Sequence, residues 1–274
     1  SRAVQRVLIR PEVSGVVVTQ PADNIEETAY FVSISLSDVF QNQNSKPIVF
    51  TTCMNPEDPM FDGTKNLLDS IRVACHDVKG DIPTVVVCMN GEIHAASRAQ
   101  LTHTNKASAL ASPGWGPVGY VDRDNVYFRC GALELDTGLN FPMLKKLTAK
   151  VPVVKAMCGD DGALLEMVLE KEPDAIIVEG FGRGNLPAGM MPAIKKAVKK
   201  GIFVVISTRA SSGRVLDSTV FPGSVAQCLE SGCLLAGETT TAKARLLLMY
   251  VLSQKEAIQL KKEDPERFFA YVQE

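Results

Sequence analysis

The chain has 274 residues, 46% of them hydrophobic and 22% charged, with 29 basic against 31 acidic side chains for a net charge of -2. That length suits two compact domains, and the composition supports a core of normal size without disulfide or metal staples. A near-neutral balance leaves no electrostatic footprint for nucleic acid, and no apolar run is long enough to cross a bilayer, so neither partner is expected.

The opening stretch, SRAVQRVLIRPEV, lacks a signal-peptide pattern and reads as a helix over 3–9. Short β-branched runs follow at 15–19 (GVVVT), 47–51 (PIVFT), 84–89 (TVVVCM), 151–155 (VPVVK), 175–178 (AIIV) and 202–207 (IFVVIS). Their unbroken apolar character predicts strands buried on both faces, as in parallel sheets covered by helices. Helical spacing recurs between them, near 24–41, 64–79, 161–172, 188–200, 223–232 and 239–254. This alternation predicts an α/β fold of two doubly wound parallel-sheet domains. The pattern breaks over about 100–150, which is rich in Ser, Pro, Gly and Asn and holds the single Trp. An N-terminal domain over 1–130, a linker over 131–150 and a C-terminal domain over 151–274 are therefore expected.

Seven cysteines, an odd number with no C-x-x-C spacing, fit buried thiols (Cys53, Cys88 and Cys158 lie in apolar segments) and a cytoplasmic setting. His76, His94 and His103 are not at metal-ligand spacings, and neither a metal nor a cofactor is expected. Lys195, Lys196, Lys199 and Lys200 follow an apolar stripe at helical spacing and read as a solvated helix face. The stretch GFGRGNLPAG after AIIVE invites a dinucleotide reading, but its spacing is G-x-G-x-G, and the next strand ends in Thr208 and Arg209 with no acid to hold a ribose.

One element is missing from the pattern. A doubly wound domain usually opens on a central strand whose C-terminal loop helps build the ligand crevice. Here a helix comes first, so a complementing N-terminal segment, upstream or on another chain, is expected to fill the gap.

The most informative segment is VVVTQPADNIEETAYF. A strand ends at Thr19, a tight loop follows, and a helix begins near Asp23, where unpaired N–H groups favour anions. Asp23 and Glu26 have the D-x-x-E spacing of a capping box, so Asp23 is either a helix cap or a ligand group.

VVVTQPADN with IEETAYF, then TTCMNPEDPMFDGTKNLLDSIRVA, NGEIHAASRAQLTHTNKASALASPGWGPVGYVD, VEGFGRGNLPAG with STRASSGRV, and AGETTTAKARLLLM, in that order, resemble the bacterial-type L-asparaginase (asparaginase/glutaminase) family nearly end to end. The resemblance implies a larger N-terminal and a smaller C-terminal α/β domain. It also implies an active site at an intimate dimer interface, in a homodimer or homotetramer. That family hydrolyses the side-chain amide of asparagine, and often glutamine, through an acyl-enzyme on a threonine. One threonine comes from a T-G-G-T loop on the first strand, which falls outside this sequence. A second threonine, an aspartate and a lysine come from an H-G-T-D-T loop and a V-T-K-T motif.

By that resemblance the second threonine is replaced by Ala22, the aspartate is kept as Asp23, and the lysine is replaced by Leu101. Ala22 has no hydroxyl to attack or orient water, and Leu101 cannot move a proton. A degenerate member is therefore expected: a non-hydrolytic pseudoenzyme binding a small amino-acid-like ligand. Its ligand groups would be Thr19, Gln20, Asp23, Thr52, Cys53 and Arg183, the last offering a fixed positive charge to a carboxylate. Thr52 stands where the family has glycine, which should narrow the pocket. The alternative is a family amidohydrolase or biosynthetic enzyme, completed by an N-terminal segment that carries the nucleophilic threonine. His94 and His103 flank position 101, and His103 belongs to a T-H-T the family shares and reads as structural.

Overall fold

The computed structural model describes residues 1–36, 46–54, 56–57, 61–76, 83–129, 143–217 and 220–254. The chain divides into two compact units, Ser1–Met143 and Leu144–Glu274. The expected linker lies outside the described residues over 131–142, as do the ends of two expected helices at 37–41 and 77–79.

Unit 1 runs α1 (Arg2–Leu8), β1 (Val16–Thr19), α2 (Ile25–Ser35), β2 (Ile48–Thr51), α3 (Gly63–Ala74) and β3 (Val85–Met89). The first three strands are parallel, with Val16 beside Ile48 and Ile48 beside Val85. Alternation along the strands feeds two cores. Ile48, Phe50, Val85 and Val87 meet Val4, Leu8, Ile25 and Ala29 of α1 and α2 on one face. Val49, Val86 and Cys88 meet Val73 and Ala74 of α3 on the other. Every residue of β2 and β3 is buried, as the continuous apolar runs require.

Past β3 the sheet changes direction. β4 (Glu92–Ala95), β7 (Gly119–Asp122) and β8 (Asn125–Phe128) are antiparallel, giving the order β1-β2-β3-β4-β7-β8. A small hairpin, β5 (Gln100–Leu101) with β6 (Leu110–Ala111), lies between them in sequence. The α/β class and the parallel core hold, but this sheet is mixed, and part of the stretch read as a break is strand. The reversal is made by Asn90 and Gly91, at φ 53° and 78°, between the paired residues Met89 and Glu92. Two positive φ angles in a two-residue loop match the twist of an antiparallel hairpin.

His94 on β4 is 1% exposed, with Nδ1 2.9 Å from Ser112 Oγ. Burial pushes its pKa down, and the half-exposed Glu92 carboxylate, 3.4 Å from Nε2, only partly opposes this. The folded state therefore favours neutral imidazole. Its contribution to stability is complete above the unfolded value of about 6.5 and is lost as pH falls below it, by up to about 1.4 kcal/mol per pH unit. Urea unfolding between neutral and mildly acidic pH should show that slope, and His94→Gln should flatten it. An unchanged slope in the variant would remove His94 as the cause.

Unit 2 runs β9 (Val153–Lys155), α4 (Ala163–Leu169), β10 (Ala175–Gly180), α5 (Met191–Lys199), β11 (Phe203–Thr208), α6 (Val225–Glu230), β12 (Leu234–Leu235) and α7 (Thr241–Leu252). Its four strands among the described residues are all parallel, in the order β12-β11-β10-β9. The lysine cluster lies on the exposed side of α5 and just beyond it, with Lys196 paired to Glu166 of α4.

Candidate functional site

The carboxyl ends of β1 and β2 open into a cavity of about 710 Å³ in unit 1. In an open parallel sheet this is where ligands bind, because the loops there diverge and leave a crevice. One wall is Thr19, Gln20, Ala22 and Asp23; a second is Thr51, Thr52, Cys53 and Met54. Phe61, Thr64 and Leu67, at and before the start of α3, form a third, and Thr104 completes the lining. Six of the positions singled out from the sequence therefore share one cavity: Thr19, Gln20, Ala22, Asp23, Thr52 and Cys53. Cys53 is half-buried there, not a sealed core thiol, and Cys158 is exposed.

The loop after β1 is held from both sides. Gln20 donates its backbone N–H to the Thr51 carbonyl at 3.3 Å. Its side-chain amide donates to Asn24 Oδ1 at 3.2 Å and Thr28 Oγ1 at 3.4 Å. Ala22–Asn24 form a 3₁₀ turn, and α2 begins at Ile25 with Asn24 at the cap position. The capping-box reading is overturned: Asp23 lies inside the turn, is exposed, and caps nothing. Glu26 is engaged elsewhere, its Oε2 accepting the Leu101 N–H at 2.6 Å. That bond fixes the β5–β6 hairpin against α2. Leu101 is half-buried and not part of the cavity lining, although Thr104 of the same hairpin is. His103 Nδ1 accepts the N–H groups of Asn105 and Lys106, as a structural turn group would.

The loop after β2 is fixed by a residue that the sequence reading missed. Asn66 on α3, 1% exposed, donates Nδ2 to the Thr52 carbonyl at 2.9 Å and accepts the Asn90 N–H on Oδ1 at 2.9 Å. Asp62 Oδ2 receives Asn66 Nδ2 at 3.2 Å and the Met54 N–H at 3.4 Å. Before its apolar end at Val73 and Ala74, α3 turns a polar face inward: Asn66, Asp69 and Ser70 are buried, whereas Leu67, Leu68 and Ile71 are 41%, 47% and 45% exposed. Polar residues at the core-facing spacing of TKNLLDSIRVA were the available signal.

Asp23 is the one carboxylate among the described lining residues, and no Lys, Arg or His joins it. The cavity is otherwise hydroxyl-bearing and apolar. It can hold a cationic amine at Asp23, with threonine hydroxyls serving neighbouring polar groups. Arg183 belongs to unit 2, exposed in the loop between the bridged residues Phe181 and Asn185 after β10.

A mixed, parallel-cored α/β unit with a strand-end cavity, followed by a smaller all-parallel unit, defines a two-domain α/β protein. The model of the N-terminal asparaginase domain matches residues 1–132, and that of the glutaminase/asparaginase C-terminal domain matches 150–263. The chain belongs to the asparaginase family. It is 30% identical to the L-asparaginase of Bacillus licheniformis over 261 residues, which are 94% of this chain and 77% of that protein. It is 26% identical to one component of the glutamyl-tRNA(Gln) amidotransferase of Haloquadratum walsbyi, over 89% of this chain and 55% of that one. The crystal structure named "Probable Cytoplasmic L-asparaginase from Campylobacter jejuni" superposes with a TM-score of 0.82 at 27% identity, covering 99% of this chain and 82% of the other.

Proposed function

We propose that this chain binds a small amino-acid-like ligand in the unit 1 cavity and does not hydrolyse it by the family's usual route. One observation carries this reading: the exposed carboxylate of Asp23 faces the cavity beside Ala22, which has no hydroxyl, while position 101 offers only a leucine pinned through its backbone to Glu26. A ligand's ammonium would sit on Asp23. Thr19, Gln20, Thr52 and Cys53 would line its body.

A thermal-shift panel of amino acids, their amides and dicarboxylates tests this. A ligand at a hundred times its Kd should add about 2.7 kcal/mol. Asp23→Ala should abolish the shift without moving the unliganded midpoint, because Asp23 makes no cap bond. A panel in which nothing binds, or a shift that survives the substitution, overturns the reading.

A second reading is favoured by β1. It ends the sheet order and is half-exposed, unlike the buried β2 and β3. Val16 and Gln20 donate toward β2, so the backbone groups of the alternate residues Val17 and Thr19 face away from it. Such an apolar edge suits a further strand, from an N-terminal segment carrying a nucleophilic threonine, which would make the protein an amidohydrolase or a biosynthetic enzyme. Amide hydrolysis by a longer or complemented product, absent from this chain alone, would favour it. Assembly into a homodimer or homotetramer is part of both readings and fits the exposed leucines of α3. A cytoplasmic setting fits the free thiols.

A further inference from the structure

Away from the strand ends, unit 2 brings two cysteines together through a helix stop. The C-terminus of α6 closes on Gly232, at φ 90°. The Cys233 N–H donates to the Cys228 carbonyl at 3.0 Å, and the Gly232 N–H to the Leu229 carbonyl at 2.8 Å. These two bonds make a Schellman motif, a closure in which the side chains at the first and last positions meet. Here both are thiols. The six-to-one bond also holds their α-carbons close enough for a disulfide, which needs roughly 4.4–6.8 Å. Met191 Sδ lies 3.8 Å from Cys228 Sγ.

Both cysteines are buried, but the turn over them is not: Leu229 is 37% exposed, and Glu230 and Gly232 face solvent. Opening that single turn uncovers the pair. The neighbouring Cys233 thiol holds the Cys228 thiol below its usual pKa, and the same neighbour, with burial, raises that of Cys233. Cys228 is therefore the attacking sulfur and Cys233 the resolving one.

We propose that Cys228 and Cys233 are a modification site, forming a reversible intrachain disulfide by exchange with a low-molecular-weight disulfide. Cys228 Sγ, as thiolate, attacks one sulfur of the small disulfide, breaking its S–S bond and releasing one small thiol. Cys233 Sγ then gives up its proton and attacks Cys228 Sγ, releasing the second small thiol. Two protein thiols are oxidised and one small disulfide is reduced to two thiols, so atoms and electrons balance.

The test uses the native chain and oxidised glutathione, followed by alkylation in denaturant and tryptic mapping. Residues 215–243 form one tryptic peptide that contains Cys228 and Cys233 and no other cysteine. That peptide should lose two hydrogen masses, remain unalkylated, and recover both thiols on treatment with dithiothreitol. Cys233→Ser should instead trap a glutathione adduct on Cys228. If both residues stay alkylatable while the exposed Cys75 and Cys158 take up glutathione, the proposal is wrong. It is equally wrong if the disulfides that form join other cysteines. The wild-type map decides the matter even if the variant does not fold.

Discussion

Asparagine or glutamine incubated with the purified chain should release ammonia no faster than in protein-free buffer. A hydroxyl attacks an amide only when a neighbouring base takes its proton, and the family resemblance places that machinery at positions 22 and 101. Ala22 lines the cavity but carries a methyl group. Leu101 carries an isobutyl group, and the hydrogen bond from its N–H to Glu26 uses the backbone alone. Removing members of a nucleophile–base unit lowers turnover by about 10⁴–10⁶-fold, and the members are not additive. Asp23 alone would orient an amine without starting an attack. Restoring the side chains tests the account from the other direction. Ala22→Thr with Leu101→Lys should gain nothing on this chain if the β1 edge must also be filled, and should gain activity once a complementing strand is supplied. Ammonia released at an enzymatic pace by the wild-type chain, and lost in Asp23→Ala, would refute the loss of hydrolysis outright.

How legible the fold was depended on what each segment buries. The runs PIVFT and TVVVCM are buried on both faces, so their apolar continuity marks parallel strands without ambiguity. The last two strands of that sheet, β7 and β8, have one wet face: β8 alternates exposed and half-buried residues over only four positions, too short for period-two patterning to stand out. Even so, the Asn90–Gly91 pair is a strong hairpin signal, and it was legible in CMNGEIH. In the site, the loop Thr19–Asp23 was visible because a strand, a tight turn and a helix start follow one another. Asp23 as a cap was a misreading with a local cause: the 3₁₀ turn delays the helix by one residue, which moves Asn24 to the cap position and leaves Glu26 free to reach Leu101, 75 positions away in sequence. Asn66 escaped notice because spacing identifies apolar faces, and its helix turns a polar face inward.

Asn66→Ala should be the most damaging conservative-sized substitution near the cavity, lowering the stability of unit 1 by roughly 3 kcal/mol. The methyl group cannot replace either half of the amide. The Thr52 carbonyl loses its donor at 2.9 Å, and the Asn90 N–H loses its acceptor at 2.9 Å. Asp62 Oδ2 is left with the longer bond from Met54. A buried polar group stripped of its partner costs about 1–3 kcal/mol; the Thr52 carbonyl is such a group, and the Asn90 N–H, in an exposed residue, adds less. Urea denaturation measures the loss. Leu67→Ala, one residue along and 41% exposed, should change stability by less than about 0.5 kcal/mol and so separates the amide's role from general damage to α3. Because Asn66 holds the carbonyl of Thr52 on the cavity wall, the variant should also lose ligand affinity at temperatures where it is still folded. A stable Asn66→Ala protein would mean that the β2 loop is held by something other than this side chain.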